Sequence, residues 1–288
     1  MLISNYSLLI HNSGMPPTQI VGILNVTPDS YYDGGKWNAV DAAVTRAGEM
    51  LEEGADWIEI GGESTGPTSK DVTLEEERLR VIPVIEAVHR AFPEAKISVD
   101  TYKASIAEEA IGAGATMVND VTAGRGDERM FAEVAKFAEV AKLVLMYSKD
   151  PTPRTTIAET QYDDVIKTIK AFLKERSEAA IKAGIAKDRI ILDPGLGHFV
   201  SSEAKYSLEI LARLSEFQDL GCPIFVSPSR KSFLAGPENL PTAERLPGTI
   251  AASVIAAQNG AAFIRTHDVK DIKQALDVAR EIFLISKG

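Results

Sequence analysis

An arginine and a histidine two positions apart, Arg265 and His267, close the apolar run Ala262-Phe263-Ile264. If that run is a strand, its period of two sets both side chains on one face. A guanidinium offers phosphate oxygens a planar fork and an imidazole adds a donor, so the pair reads as a pyrophosphate clamp; a solvated basic pair ending a strand is the competing reading. The run Gly22-Ile23-Leu24 stops at Asn25 and opens into Val26-Thr27-Pro28-Asp29-Ser30. The Asn25 amide oxygen could serve Mg²⁺, which takes one or two protein ligands and fills its shell with water and phosphate. Alone, an asparagine beside such a turn is more often a structural hydrogen-bonder. Asp100, Asn119 and Asp193 end three further apolar runs. Acids and amides converging from separate strands can read alternating donors and acceptors along the edge of a planar heterocycle. Buried carboxylates need partners. Lys231, within Ser227-Pro228-Ser229-Arg230-Lys231-Ser232-Phe233, could compensate them and bridge to a second substrate, or merely cap the following turn.

These residues must be positioned by something regular. Short runs rich in Ile, Val and Leu begin near Ile20, Trp57, Ile97, Thr116, Leu143, Ile190, Ile224 and Ala262. Segments of helical periodicity follow them from near Val40, Leu74, Lys103, Asp127, Ala158, Ser202, Ala243 and Val269. Continuously apolar strands alternating with helices predict a parallel sheet, and eight such units predict a single TIM (β/α)8 barrel of class α/β. In that fold chemistry gathers at the C-terminal ends of strands, where this sequence puts its polar residues. An open doubly wound sheet would gather them at one switch point, not at six or more strand ends. Residues 1–18 read as a short N-terminal extension capping the barrel, and residues 19–288 as the barrel itself.

A formal charge of -10 argues against nucleic acid or an anionic membrane as partner, since both demand clustered Lys and Arg. No apolar run approaches the ~20 residues needed to cross a bilayer, and the start lacks a basic leader, so the expected location is the cytoplasm. The lone Cys222 reads as a buried structural thiol. His11 and His89 read as surface residues, and Glu75-Glu76-Glu77 as charge bias in a first helical turn. Gly34-Gly35 and Gly195-x-Gly197 lack the context of a nucleotide fingerprint, and the His and Cys spacing is not that of a zinc site.

Taken in order, Gly22 to Ser30 with Asp33-Gly34-Gly35, then Gly61-Gly62-Glu63-Ser64-Thr65, Ser98-Val99-Asp100-Thr101-Tyr102-Lys103, Asn119-Asp120-Val121, Asp193-Pro194-Gly195, Ser229-Arg230-Lys231-Ser232-Phe233, Gly248-Thr249 and Arg265-Thr266-His267-Asp268-Val269 resemble the dihydropteroate synthase family from Gly22 to about Ile282. The resemblance implies a Mg²⁺-assisted, homodimeric transferase joining 6-hydroxymethyl-7,8-dihydropterin pyrophosphate to 4-aminobenzoate, with dihydropteroate and pyrophosphate as products. It implies pterin binding by Asp100, Asn119, Asp193 and Lys231, and pyrophosphate and metal binding by Asn25, Arg265 and His267. It places Thr65, Pro67 and Ser229 beside the aminobenzoate. Asp100, Lys231, Arg265 and His267 then carry the catalysis.

The departures fall elsewhere. Gly66 stands where the family usually has arginine. His198-Phe199-Val200 replaces an aromatic, a glycine and a lysine, and Tyr147-Ser148 replaces His-Met. These changes map to the aminobenzoate side, where Phe199, one place later, could substitute for the missing ring. Either the acceptor pocket is divergent, with altered sulfonamide sensitivity, or the acceptor is another, bulkier arylamine. A pterin-dependent methyltransferase and an inactive pterin binder are the remaining alternatives.

Overall fold

Runs of Ile, Val and Leu too uniformly apolar to leave a wet face become strands buried on both sides. The structure, a computed structural model, describes residues 17–27, 36–67 and 69–285. Among these, strands and helices alternate as β1 (Gln19–Asn25), α1 (Lys36–Glu52), β2 (Trp57–Gly61), α2 (Leu74–Ala91), β3 (Lys96–Asp100), α3 (Ala104–Gly112), β4 (Met117–Asp120), α4 (Met130–Ala135), β5 (Lys142–Met146), α5 (Val165–Lys182), β6 (Ile190–Asp193), α6 (Ala204–Ala212), β7 (Ile224–Val226), α7 (Leu246–Gln258), β8 (Ala261–Thr266) and α8 (Val269–Ile285). Each strand pairs in parallel with the next and β8 pairs with β1, which closes the predicted barrel. Of the extension expected over residues 1–18, only residues 17 and 18 are described, and Pro28 to Gly35 and His11 also lie outside the described residues. Among the described residues no helix is long and apolar enough to cross a membrane.

The packing has two layers. Between barrel and helices lies the large core, with Leu24, Ile58, Ile85, Ile106, Leu143 and Phe217 fully buried. Inside the barrel, Val21, Trp57, Met117, Val144, Ile191, Phe225 and Phe263 form a separate apolar plug. Phe263 meets Trp57 edge to face at 6.4 Å and stacks on Phe225 at 6.0 Å, and the Trp57 indole donates to Gln19 at 2.7 Å. Counting two residues along each strand from this plug arrives at Glu59 on β2, Asn119 on β4, Asp193 on β6 and Arg265 on β8. The register sets Gly61 against Asp100, Asp100 against Asn119 and Met146 against Asp193.

Several boundaries differ from expectation for local reasons. Helix α5 starts at Val165 rather than near Ala158, because Asp164 caps it, accepting from the Lys167 amide at 3.0 Å. Strand β8 ends at Thr266, which leaves His267 just past it, and Asn119 is the penultimate residue of β4. The terminal Asp120 is buried and turns the chain, accepting from the amides of Thr122 and Gly124 at 2.8 and 2.6 Å. In the acidic run only Glu75 and Glu76 face water. Glu77 is buried and ion-paired to Lys103, so first-turn bias accounts for two of the three. Cys222 is buried as expected, and His89 is exposed.

Candidate active site

The rim of the barrel is organised around Arg265. Its Nε donates to the Glu59 carboxylate and its Nη2 to Asp100 Oδ2 at 2.7 Å, so one guanidinium joins the middle of β2 to the end of β3. Burial opposes its charge, yet the two acids outweigh burial and hold it firmly protonated. Burial raises the Asp100 pKa, with Arg265 pulling the other way. Two acids share this one guanidinium, so an added cation or hydrogen-bond donor is welcome beside them.

Glu59 escaped the sequence reading, although a charged residue inside Trp57-Ile58-Glu59-Ile60 was its visible signal. It is 1% exposed and accepts from Ser98 Oγ at 3.1 Å and Asn119 Nδ2 at 3.2 Å as well as from Arg265. By consuming an Asn119 N–H it fixes that amide's orientation. Asn119 Oδ1 is then buried without a partner, an acceptor waiting for an N–H donor.

Asp193 accepts from the Gly195 amide at 2.7 Å, and its burial pushes its pKa up to about 6 despite the charge of Lys231. The tight turn requires glycine at 195: φ is 71°, and a Cβ would stand 2.4 Å from the Tyr147 carbonyl oxygen. Lys231 makes no ion pair with Asp193. Its Nζ donates to the Leu196 carbonyl at 3.3 Å and lies 5.2 Å from the centre of the Phe199 ring. Burial lowers its pKa to about 8. Asp100, Asn119, Asp193, Lys231 and Arg265 are thus brought together at the rim, with Phe199 joined to them through Lys231.

The remaining residues sit around this group. Ser229 Oγ meets His267 Nδ1 at 2.9 Å and accepts the His267 amide at 3.2 Å. His267 is exposed, yet groups packed around its ring strip away enough water, and Arg265 lies near enough, to bring its pKa down to about 4. At neutral pH it is therefore a neutral donor or acceptor beside the arginine rather than a second cation. Arg230, with a φ of 51°, turns away to pair with Asp268 at 2.7 Å, leaving Lys231 as the inward cation of its segment.

On the acceptor side, the Thr65 carbonyl meets the Thr155 amide at 3.5 Å, and Pro67 is exposed. His198 Nδ1 is buried without a partner. Tyr147 departs from the reading that grouped it with the acceptor loops. Its ring packs edge to face on Phe172 of α5 at 5.2 Å and its hydroxyl meets Tyr162 at 3.1 Å, so this change belongs to the helix layer. Ser148 is buried, with its carbonyl held by Arg125. At Gly66 a Cβ would meet only Ser64 Oγ, at 3.5 Å.

For a metal, the described residues contain no group of three His, Cys, Asp or Glu able to hold one. Asn25, exposed at the end of β1, brings its Oδ1 within 3.9 Å of the point where a Cβ on Gly61 would stand, beside Asp100. One neutral oxygen beside Asp100 fits a hard cation that draws most of its shell from water and phosphate, and fits no ion that needs a protein cage.

A closed parallel barrel with an amide, three acids, a lysine and an arginine gathered toward its C-terminal rim is the architecture of a barrel enzyme. A family model described as pterin binding enzyme matches residues 21–267. A dihydropteroate synthase of Clostridium beijerinckii is 41% identical over 90% of this chain and 91% of its own length. That of Escherichia coli K12 is 42% identical over 90% of this chain and 89% of its own. Among solved structures, the dihydropteroate synthase of Clostridium difficile determined with pteroic acid superposes with a TM-score of 0.85, at 40% identity over 94% of this chain and 98% of that one. The Xanthomonas albilineans enzyme with 4-aminobenzoic acid gives 0.84 at 38% identity, over 93% and 94%. The chain belongs to the pterin-binding enzymes and, among them, to the dihydropteroate synthase family.

Proposed function

We infer that this enzyme condenses 6-hydroxymethyl-7,8-dihydropterin pyrophosphate with 4-aminobenzoate, yielding 7,8-dihydropteroate and pyrophosphate for folate synthesis. What supports the reading is the Arg265 cluster, a guanidinium suited to an anion lying close to the unpartnered Asn119 Oδ1 and to the acids Asp100 and Asp193, a set suited to a pterin edge. Asn119 Oδ1 and the Asp193 carboxylate take N–H donors of the pterin ring, and Lys231 donates to a ring acceptor and stands over Phe199. Arg265 reaches the pyrophosphate, with His267 and Asn25 at its edge.

The methylene carbon loses its bond to oxygen, pyrophosphate leaves with that electron pair, and the arylamine nitrogen donates its lone pair to the same carbon before giving its proton to solvent. Charge growing on pyrophosphate is met by Arg265, and the cationic pterin left behind lies against Asp100. Thr65, Pro67, Ser229, His198 and Phe199 would flank the acceptor ring. Mg²⁺ at Asn25 would neutralise part of the leaving group's charge.

We further propose a cytoplasmic homodimer. Helix α7 is apolar nearly all round, and Ile255 on it and Val278 and Ile282 on α8 are exposed, a face suited to a second copy. Pyrophosphate release by the purified enzyme with Mg²⁺ and the pterin pyrophosphate, with and without 4-aminobenzoate, tests the central reading. Release that needs 4-aminobenzoate and yields dihydropteroate supports it. Pterin binding without such release would transfer the function to another arylamine, for which Gly66 leaves room.

A further inference from the structure

The acceptor side has a brace that the proposed chemistry does not use. Arg154, in the loop between β5 and α5, reaches 91 positions back along the chain to Glu63, donating from Nη2 to its Oε1 at 2.6 Å. The same guanidinium donates from Nε to the Ser69 carbonyl at 3.0 Å, and to the Lys70 carbonyl and the Asp71 carboxylate. Four bonds from one side chain thus grip the loop between β2 and α2, the loop that carries Thr65, Gly66 and Pro67.

Glu63 is a firm anchor for this grip. Its side chain is 3% exposed and also receives Lys103, which in turn holds the Val72 carbonyl at 2.9 Å and the buried Glu77. Lys103 therefore ties down the base of the loop and Arg154 its tip. The segment bearing Arg154 is itself fastened to the opposite wall. Thr155 Oγ1 donates to the His198 carbonyl at 2.7 Å, and the Lys149 amide donates to the Phe199 carbonyl at 2.8 Å. Lys149 Nζ, bonded to Asp150 at 2.5 Å and to the Thr156 carbonyl at 2.8 Å, keeps the segment compact.

We propose that Arg154 is a positioning residue that sets acceptor specificity, by latching the loop after β2 to the loop after β6 through the segment 149–156. The distance between Thr65 and Phe199, the two sides of the arylamine slot, is then set through a third loop. The inference rests on the synthase reading and deepens it. The pterin-side residues Asp100, Asn119, Asp193 and Arg265 make none of these bonds, so loosening the latch should reach the acceptor alone.

The test is Arg154→Met, with Asp71→Asn as a milder companion; the Asp71 side chain is 92% exposed, so folding is not at stake in that variant. Two readouts apply, the separate KM values for 4-aminobenzoate and pterin pyrophosphate, and amide hydrogen exchange across residues 63–73. Arg154→Met should raise the KM for 4-aminobenzoate about tenfold, the effect of one charge-assisted bond, and leave the pterin KM within about twofold. Exchange in 63–73 should accelerate about tenfold or more while β2 is unchanged. Asp71→Asn should shift both readouts in the same direction by less. Equal changes in the two KM values, or no change in exchange, would overturn the latch. If the wild-type enzyme turned over no 4-aminobenzoate at all, the acceptor assignment would fail, and the exchange measurement would still decide the latch.

Discussion

Replacing Glu59 by glutamine changes one oxygen to NH₂ at the centre of the rim, and its consequences can be worked through bond by bond. Glu59 accepts from Arg265, Ser98 and Asn119, three donors on one carboxylate. A glutamine keeps one acceptor oxygen. If that oxygen stays with Arg265, the new NH₂ faces Ser98 and the Asn119 NH₂. Two NH₂ groups cannot bond, so the Asn119 amide turns over and gives its Oδ1 to the introduced amide. The atom shown to the pterin then becomes a donor facing a donor. One lost hydrogen bond with a buried unsatisfied group costs about 1–3 kcal/mol, or about 5- to 150-fold in affinity. Losing the charge on the Arg265 bond should cost folding stability about another 2 kcal/mol, with Asp100 still in place to hold the guanidinium. Titration calorimetry with a free dihydropterin lacking pyrophosphate isolates the ring contribution. A Glu59→Gln enzyme that binds this ligand within about twofold of wild type would refute the claim that Glu59 orients Asn119.

Three further outcomes are expected. Arg265→Ala should weaken the pyrophosphate ester by about 10- to 100-fold more than the free pterin, measured by competition binding, and equal losses would remove the clamp. Asp193→Asn should abolish pterin binding yet raise the melting temperature at pH 7. With a folded pKa of about 6, above that of an ordinary carboxyl, the folded state keeps a proton the unfolded chain has released. Asp193 therefore costs stability increasingly as pH rises from ~4 to 6, by at most about 3 kcal/mol above that window, and the gain in the variant should fade below pH ~4; a gain independent of pH would contradict it. Gly195→Ala should destabilise by about 2 kcal/mol or more in urea unfolding, since its Cβ would collide with the Tyr147 carbonyl in a left-handed turn.

The barrel was legible because each βα unit repeats one local rule, and strands β2, β6 and β7 begin at the expected Trp57, Ile190 and Ile224. The rim was legible because polar residues interrupt apolar runs at their ends. What stayed hidden depends on contacts distant in sequence. Glu59 passed unnoticed inside an apolar run, and only its contact with Arg265, 206 positions away, shows that it points inward. Glu77 matched a first-turn bias, and only its contact with Lys103 reveals a buried ion pair. Tyr147 stood among changes assigned to the acceptor side, but one residue's shift in direction sends its ring outward to Phe172. The latch was invisible because Arg154 sits in a loop whose sequence carries no periodicity.

The aromatic plug of Trp57, Phe225 and Phe263 fills the barrel beneath the rim, so a substrate bound at the rim has a floor below it. Traffic through a well is ordered by depth. On the proposed assignment, a pterin held against Asp193 and Asn119 would lie lowest and enter first, with the arylamine following to cover it. An arylamine that arrives early stands in the doorway and delays its own partner. A product spanning both levels would then have to leave whole before the next pterin could descend, which makes its exit a step in the cycle distinct from bond making.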